Sequence, residues 1–422
     1  MRRLHRIGAV AAAAMLAVMI VPVSMAAVDN GAKWTFAIYL DADNNLESYG
    51  LTDLAELEAV GSVDGVNIVV LMDTYTAISD THWYAVDGPN EPHIVLDDDG
   101  EYQNNCDCGI IAGGCPDELN MADPLVLEEF CEIVCSKYPA EKYALILWDH
   151  GGGWRGLCWD DTTFEVDEVD DCITMVELRD ALVDAKDQTK VVFDVVGFDL
   201  CLMAMPEVAY QVRGCADFVV FSEETVPGAG FPYDIIAEHL VASPTMGGRA
   251  LASVIVQDYA AYYSSTSGYV DWTISAFDMA YMGAMKDAVA DLGEALLAGL
   301  REYMNSIQRD LIQAQEYYYP YNVDLKGFAV NLQEDPIIKD EAIKTAAKVV
   351  QEVVEAGVTD FENGLHNYKS YGMAIYAPST NDGMHSIKDT YADVPFAVET
   401  GWDDFALAFS NFYGRTWGLG DW

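Results

Sequence analysis

The stretch that decides the fold begins with Trp34-Thr-Phe-Ala-Ile-Tyr-Leu40, a run rich in strand-forming residues. It turns at Asp41-Ala-Asp-Asn-Asn45 and continues into a helical segment. The run at 66–72 that follows is short and nearly all apolar, as in a strand buried on both faces. A strand, a helix and a buried strand in this order predict a parallel sheet. The apolar residues that the helical segment places on one face are Leu51, Leu54, Leu57 and Val60.

Similar runs along the chain predict a larger sheet of the same kind. The strands are expected at 143–148, 191–198, 218–222, 272–277, 327–332 and 371–376. Helices are expected at about 246–265, 280–315 and 338–356, and Thr174 with Glu177 forms a capping box that opens another helix, to about residue 185. This alternation predicts an α/β fold with helices on both faces of the sheet. Residues 77–125 lack periodicity, and we interpret them as an insertion of hairpins or loops.

Composition and charge exclude several classes of protein. Hydrophobic residues make up 51% of the 422 residues, enough to bury a core, which favours a folded chain over a disordered one. Acidic residues outnumber basic ones 69 to 22, for a formal net charge of −47. A nucleic-acid binder needs a basic surface to displace counterions, so we expect no nucleic-acid partner. The same charge argues against attachment to anionic lipid.

The N-terminus predicts export. Arg2, Arg3 and Arg6 flank the start of an apolar run at 7–21, and Ser24-Met25-Ala26 places small residues at the two positions that precede a cleavage site. We predict a signal peptide over 1–26 and a secreted protein, extracellular or periplasmic. No later segment has about 18 unbroken apolar residues, so we expect no stable membrane insertion after cleavage. An uncleaved anchor helix is the alternative.

Chemistry-bearing residues follow two of the predicted strands, where ligands bind in such sheets. Asp149-His150-Gly151-Gly152-Gly153 follows the strand at 143–148, and the glycines would let a ligand approach free backbone amides beside His150. Asp199-Leu200-Cys201 follows the strand at 191–198. We expect the positive end of a helix that begins at Pro206 to lower the pKa of the Cys201 thiol. A cysteine and a histidine at neighbouring strand ends suit nucleophilic catalysis.

These blocks resemble the clostripain family of cysteine peptidases, in the caspase-like clan. The histidine block is Trp148-Asp-His-Gly151 with Gly153-Trp154, and the cysteine block is Phe198-Asp-Leu-Cys-Leu-Met203. The remaining blocks are 34–46, Glu207-Val-Ala-Tyr210, Ser222-Glu-Glu-Thr-Val-Pro-Gly228, Gly230-Phe-Pro-Tyr233 and Gly372-Met-Ala-Ile-Tyr-Ala-Pro378. The resemblance implies a caspase-like αβα sandwich with a mostly parallel central sheet, the insertion and a C-terminal helical extension. It would place the peptidase domain at 27–422, with a core at about 33–280 and a C-terminal part at about 281–422.

The resemblance also implies an endopeptidase that cleaves peptides or proteins after Arg, sometimes Lys. Cys201 would be the nucleophile and His150 the general acid and base, and the amides of Gly151 and Cys201 would form the oxyanion hole. Asp199 would bind the basic P1 side chain, since a carboxylate pairs bidentately with a guanidinium. Two further acids, Glu223 and Glu224, would add to that pocket. The chemistry itself requires no cofactor.

Two other functions remain open at this point. One is a catalytically silent binding protein on the same fold, against which the presence of both His150 and Cys201 argues. The other is a transpeptidase that uses the same acyl-enzyme. Residues 156–178 contain no Lys or Arg, so we expect no self-cleavage within that stretch. Leu200 stands where the family usually has a small residue, which would narrow the site.

The nine cysteines are an odd number, and setting Cys201 aside leaves eight that could form four disulfides in an exported protein. A bridge between Cys158 and Cys172 is one pairing that we consider. The spacing of Cys106, Cys108 and Cys115 matches no standard zinc site.

A calcium ion is also an expectation, since the chain is rich in acids and some members of the family depend on calcium. Asp41-Ala-Asp43-Asn-Asn45 imitates the start of an EF-hand loop, but Leu46 occupies the position of the required glycine. We therefore predict a strand-to-helix turn there. Asp97-Asp-Asp99 and the acidic stretch 160–171 remain candidates for calcium, with a solvated acidic surface as the alternative.

Overall fold

The fold is that of a computed structural model, which describes residues 31–75, 81–86, 119–162, 172–378 and 391–417, the last six of them by backbone alone. The predicted signal peptide, most of the predicted insertion and Asp97–Asp99 lie outside the described residues. Among the described residues, no helix combines the length and apolarity needed to cross a bilayer.

Eight of the described strands form one sheet that is parallel at its centre, as the sequence predicts. Its order is β3-β2-β1-β4-β5-β6-β7-β9, and the five central strands run parallel while β3, β7 and β9 are antiparallel to their neighbours. The remaining two strands, β8 and β10, pair as a small separate sheet. The strands are β1 (Ala32–Ala42), β2 (Val66–Thr74), β3 (His82–Ala85), β4 (Ala140–Trp148), β5 (Phe193–Asp199), β6 (Ala216–Phe221), β7 (Thr273–Asp278), β8 (Asn322–Asp324), β9 (Val358–Asn363) and β10 (Ala374–Tyr376).

Helices cover both faces of the large sheet and make the predicted αβα sandwich. Alternate residues of β1 enter two different hydrophobic cores: Ala37 and Tyr39 enter one, and Phe36 and Ile38 the other. Helices α1, α5 and α6 pack on the second core, and the other long helices pack on the first. The helices are α1 (Glu47–Val60), α2 (Pro124–Lys137), α3 (Met175–Thr189), α4 (Pro206–Ala209), α5 (Tyr233–Ala242), α6 (Gly248–Ser265), α7 (Met282–Gln313), α8 (Leu325–Glu334), α9 (Glu341–Gly357), α10 (Pro395–Thr400) and α11 (Trp402–Trp417).

Local predictions succeeded for most elements and failed for one strand. The capping box of Thr174 and Glu177 opens α3 as expected, and the three predicted long helices correspond to α6, α7 and α9. The strand predicted at 327–332 is wrong, because these residues belong to α8, which Asp324 caps through the N–H of Gly327. The strand predicted at 371–376 shortens to β10. Helices α7, α8 and α9 form the predicted C-terminal helical layer. The C-terminal part also contributes a strand, β9, which pairs at the edge of the large sheet.

Candidate active site

His150 lies directly beyond the carboxyl end of β4, on a turn that two asparagines hold. Its Nε2 is 2.8 Å from Asn45 Oδ1. An amide oxygen only accepts, so Nε2 carries the proton and Nδ1 is the basic nitrogen. The preceding residue, Asp149, is buried and accepts from Asn44 Nδ2 (2.6 Å) and from the backbone N–H of Trp159 (2.5 Å). Burial lowers the pKa of His150, so the ring is neutral at pH 7.

The glycines after His150 are required by close packing. A Cβ on Gly151 would lie 2.3 Å from the carbonyl oxygen and 2.8 Å from the nitrogen of Cys201. The backbone at Gly151 therefore packs directly against that of Cys201, and only glycine fits. Gly153 has φ of +63°, and a Cβ there would meet Met205 Sδ at 2.8 Å and Leu202 O at 3.0 Å. These contacts bring the predicted histidine and cysteine blocks together.

Cys201 follows β5, which ends at Asp199, and is held in a sharp turn. The next residue, Leu202, has φ of +67°, a strained conformation for a branched residue. Its N–H donates to the carbonyl oxygen of Glu224 (3.1 Å), which ties the turn to the segment after β6. The Cys201 Sγ accepts from the N–H of Val226 at 3.3 Å, and the thiol lies 3.7 Å from the carbonyl oxygen of that residue. The backbone of Val226 thus contacts the sulfur atom through both its N–H and its carbonyl oxygen.

The expected lowering of the Cys201 pKa by a helix is wrong. Burial raises the pKa of the thiol to about 11, and the nearby carboxylates of Asp199, Asp149 and Glu224 add to the rise. The helix at Pro206 is a single turn of four residues, and it starts five residues after the cysteine. Because a helix end acts only within its first turn, it cannot offset burial. At pH 7 the resting site therefore pairs a neutral thiol with a neutral imidazole.

Asp199 is the last residue of β5 and is buried beside the cysteine. Only one of its two carboxylate oxygens accepts hydrogen bonds from the described residues. Its Oδ2 accepts from the N–H of Phe231 (2.8 Å) and the hydroxyl of Tyr233 (2.9 Å). Its Oδ1 is buried and has no hydrogen-bond partner among the described residues, although the residue is only 3% exposed. Gly230 leaves room, since a Cβ there would lie 2.6 Å from Oδ2. Burial raises the pKa of Asp199 to about 7, against the lowering effect of these two donors.

Two acids on α1, which sequence reasoning missed, lie close enough to Asp199 for their charges to affect one another's pKa values. Asp53 accepts from Trp148 Nε1 at 2.7 Å, and Glu56 accepts from the backbone N–H of Tyr233 at 3.0 Å. Burial raises the pKa of Asp53 to about 9, and Asp199 is its next largest cause. Glu56 acts in turn on the pKa of Asp199. The available signal was an aspartate on the buried face of an amphipathic helix, where a charge needs a reason.

Comparison with known proteins identifies the family. The sequence pattern of the clostripain family of peptidases matches residues 38–422, most of the chain. The chain belongs to the clostripain family. It is therefore a cysteine endopeptidase.

Individual relatives agree with this assignment. Clostripain from Hathewaya histolytica is 27% identical over 431 aligned residues, which cover 88% of this chain and 79% of that protein. Two solved structures share the fold. A secreted C11 cysteine protease from Bacteroides thetaiotaomicron, bound to an irreversible peptide inhibitor, is 20% identical with a TM-score of 0.62, over 88% of this chain and 99% of that one. An inactive zymogen C11 protease from Parabacteroides distasonis is 21% identical with a TM-score of 0.63, over 88% and 98%.

The two remaining candidate residues of this clostripain-family site face in different directions. Glu223 is buried, accepts from the N–H of Gly372 (3.1 Å) and interacts with Asp324 and Tyr317. Its partners therefore lie in the C-terminal part of the chain and not around Asp199. Glu224 is close enough to Cys201 to raise the pKa of its thiol. The side chain of Glu224 accepts from the N–H groups of Thr225 and Tyr318, which hold it at the edge of the site.

The cysteines of the described residues contradict the prediction of four disulfides. Cys131, Cys135, Cys158 and Cys215 are free thiols, so the bridge between Cys158 and Cys172 is wrong. Cys131, Cys158 and Cys215 are almost fully buried in the first hydrophobic core, where each thiol packs as a small apolar group. Cys106, Cys108 and Cys115 lie outside the described residues.

The segment 41–46 forms the predicted strand-to-helix turn. Asn44 caps it, with Oδ1 accepting from the N–H of Leu46 at 2.8 Å, and α1 begins one residue later. Beneath this turn, Asp43 approaches two acids from other segments, Asp73 and Asp160. These three carboxylates are the residues in the described chain that could hold a metal ion.

Proposed function

We propose that the chain hydrolyses peptide bonds after Arg, and after Lys less efficiently, with Cys201 as nucleophile and His150 as general base and acid. The observation that carries the proposal is the buried, unpartnered Oδ1 of Asp199, two residues before the cysteine. A buried carboxylate oxygen without a donor is costly, and an arriving guanidinium would supply the missing donor.

The arrangement of the two blocks supports the dyad. Because Gly151 packs against Cys201, the imidazole of His150 and the thiol are presented on adjacent turns. The hydrogen bond from Nε2 to Asn45 leaves Nδ1 as the proton acceptor. The close approach of the two backbones, with a Cβ on Gly151 only 2.8 Å from Cys201 N, supports an oxyanion hole formed by the N–H groups of these two residues.

The reaction follows from these roles. As Sγ bonds to the scissile carbonyl carbon, its proton passes to His150 and the carbonyl electrons move to the oxygen, which the two amides bind. His150 then gives that proton to the departing amine as the C–N bond breaks. Water attacks the resulting thioester, again losing a proton to His150, and the thiol re-forms as the acid leaves. Since the resting thiol has a pKa of about 11, transfer to His150 must accompany the attack.

The acids around the pocket explain a preference for a cationic P1 side chain. Burial raises the pKa values of Asp199, Asp53 and Glu56, the negative charge of Glu56 raises those of the other two further, and that of Asp199 adds to the rise at Asp53. A guanidinium would relieve this repulsion and could bond Asp199 in a fork that an ammonium cannot match. Glu224 would add negative charge near the thiol, whereas Glu223 serves the packing of the C-terminal part. A cation at Asp199 would also remove one cause of the high pKa of Cys201.

The location of the enzyme belongs to the same proposal. We propose that residues 1–26 are removed on export and that the enzyme acts outside the cell or in the periplasm. The basic start, the apolar run and the small residues before the cut support this. N-terminal sequencing of the protein recovered from the medium or periplasm tests it. A protein that retains residue 1 and stays with the membrane would contradict it.

The central experiment compares fluorogenic peptides that differ only in P1, with Arg, Lys or citrulline. Citrulline has the shape of Arg but no charge, so it isolates the contribution of Asp199. We expect cleavage after Arg, weaker cleavage after Lys, little after citrulline, and none in Cys201→Ala or His150→Ala. Activity that survives Cys201→Ala would refute the mechanism. Equal cleavage after Arg and citrulline would refute the pocket.

The same assay separates the alternatives. A catalytically silent binding protein would cleave no substrate while binding Arg peptides. A transpeptidase would join the acyl group to an added amine, which mass spectrometry of the products detects. We expect the free acid as the main product even with an amine present.

A further inference from the structure

The segment that follows β6, residues 222–226, supports the turn that carries Cys201. The carbonyl oxygen of Glu224 accepts from the N–H of Leu202 at 3.1 Å. The N–H of Val226 donates to Cys201 Sγ at 3.3 Å. Any group that fixes the 222–226 segment therefore also fixes the sulfur atom that is proposed to attack, without itself touching the substrate.

Glu223, in the middle of this segment, binds the C-terminal part of the chain through its side chain. Its Oε2 accepts from the N–H of Gly372 at 3.1 Å, and its carboxyl group is within hydrogen-bond reach of the Asp324 carboxyl group. Asp324 in turn accepts from the N–H of Tyr371 at 2.6 Å and caps α8. Both acids are at most 1% exposed. This pair of acids thus joins the 222–226 segment to two stretches of the C-terminal part.

Two carboxyl groups in contact inside a protein need a proton between them. Glu223 Oε1 is buried and accepts no hydrogen bond from the described residues, and the acid beside it can only accept when it is ionised. Burial and the charge of Asp324 raise the pKa of Glu223 well above its usual range. Burial raises the pKa of Asp324 to about 6, and the hydrogen bond with Glu223 opposes that rise. At neutral pH Glu223 therefore keeps its proton and donates it to an ionised Asp324.

The other titratable and charged groups that face the pair do not replace this proton. The phenol of Tyr317 stays neutral, because burial raises its pKa well above the usual value. The ammonium group of Lys326 acts on Asp324, but it is also paired with a glutamate on α9 at 2.8 Å. Strand β7 contributes the neutral hydroxyl groups of a threonine and a serine, and Glu224 binds backbone N–H groups at the edge of the site. Loss of the proton from Glu223 would leave two buried negative charges in contact.

We propose that Glu223 is a positioning residue: one proton, shared with Asp324, holds the 222–226 segment against the C-terminal part and thereby holds Cys201 in its turn. As the pH rises, this proton passes to solvent and the two buried carboxylates repel each other, so the segment separates from the C-terminal part. The N–H of Val226 then no longer fixes Sγ. The consequence for activity rests on the proposed function of Cys201, but the proton-dependent contact does not.

The activity test replaces the shared proton with one that cannot be lost. Glu223→Gln keeps an oxygen for the N–H of Gly372 and presents an N–H to Asp324, so it imitates the protonated acid. With the Arg substrate at saturation, the ratio of kcat in this variant to kcat in wild type should be about 1 at pH 6 and exceed about 5 at pH 9. The ratio cancels titrations that both proteins share. Glu352→Gln, at an exposed position of α9, is the control and should keep a ratio of about 1 at both pH values.

Pulsed hydrogen exchange tests the contact without a substrate, in full-length Cys201→Ala protein at pH 6 and pH 9. After correction for the intrinsic rate at each pH, amides of 222–226 and 371–373 should lose protection by about tenfold at pH 9, while those of α3 should not. Glu223→Gln in the same background should abolish the loss.

Two results would overturn the proposal. One is equal protection of 222–226 at both pH values, which decides the matter even if Glu223→Gln does not fold. The other is a kcat ratio for Glu223→Gln that is the same at pH 6 and pH 9. Because the exchange measurement uses an inactive protein, its result stands whether or not the enzyme cleaves after Arg.

Discussion

Two groups of mostly buried acids lie at the carboxyl edge of the sheet, and they differ in construction. The pocket acids are the buried Asp199 at the end of β5 and, from one face of α1, the buried Asp53 and the half-buried Glu56. The cluster acids are Asp41, Asp43, Asp73 and Asp160, which come from two strand ends and a loop.

The difference lies in how many oxygens converge. In the pocket, one oxygen of Asp199 has no donor within the described part of the chain, and the two acids on α1 each accept one hydrogen bond. A single carboxylate with an oxygen that lacks a donor suits the planar guanidinium of an arginine side chain. In the cluster, three carboxylates approach to within 4.8 Å of one another, which matches a compact divalent ion. The number of converging oxygens therefore indicates which kind of cation each group would accept.

The largest expected effect is that of Asp199→Asn, which tests whether the pocket acids and the cluster acids act separately. Asp199→Asn keeps an oxygen for Phe231 and Tyr233 but loses the charge, so kcat/KM for the Arg substrate should fall by about 10²- to 10³-fold. Cleavage after citrulline should change little. The Asp43→Asn, Asp73→Asn pair should keep the ratio of Arg to citrulline cleavage. Loss of that ratio in the pair would show that the two groups act as one site.

The pH dependence of selectivity sharpens the comparison. With a pKa of about 7, Asp199 is protonated below pH 7 and cannot pair with a guanidinium there. The ratio of kcat/KM for Arg over citrulline should therefore rise about tenfold per pH unit up to pH 7 and level off above it. Using the ratio cancels the titration of His150, which both substrates share. A ratio that is flat between pH 5 and 8 would exclude Asp199 as the selective group.

Sequence reasoning predicted the fold well where a segment carries its own signal. Continuous apolar runs marked the central strands, and the capping box of Thr174 and Glu177 marked α3. It failed at 327–332, where an apolar run fits either a buried strand or a helix. The deciding contact there is the cap from Asp324, which a period of apolar residues does not reveal.

The site was predictable in part for the same reason. His150, Cys201 and Asp199 stand at strand ends that the sequence locates. Asp53 could not be assigned, because its role depends on α1 packing against α5 and on the hydrogen bond from Trp148 at the end of β4. The acid cluster joins residues more than a hundred positions apart, so the Asp41–Asn45 turn alone gave no reason to prefer a metal over a plain turn.

A smaller effect is expected at the link between the cluster turn and the dyad. Asn45→Ala removes the acceptor of His150 Nε2, so the imidazole loses its orientation but keeps its chemistry. We expect kcat to fall by about tenfold with KM nearly unchanged, as for a positioning residue. Asn45→Asp should restore most of the rate, since it keeps the acceptor. It should also raise the pKa that governs the fall of kcat at low pH. An unchanged kcat in Asn45→Ala would remove this residue from the mechanism.

The smallest effect concerns stability and separates burial from function in the pocket. Burial raises the pKa of Asp53 to about 9 in the folded state. Between about pH 4 and pH 9 the unfolded chain loses this proton while the folded protein keeps it, so folding becomes less favourable as pH rises. Asp53→Asn has no proton to lose and can still accept from Trp148. Its free energy of unfolding relative to wild type should therefore increase between pH 5 and pH 8, by at most about 1.4 kcal/mol per pH unit.

Denaturant unfolding at several pH values measures this difference in free energy of unfolding. The readout is the slope of the difference with pH, because the new amide group adds a cost that does not depend on pH. Asp217→Asn, an exposed aspartate on β6, is the control and should show no such slope. If Asp53→Asn gains nothing between pH 5 and pH 8, then Asp53 is ionised in the folded protein. The pocket would then hold a second ionised carboxylate, on α1 beside Asp199. Charge would no longer distinguish the pocket from the cluster, and the two groups would differ only in the arrangement of their oxygens.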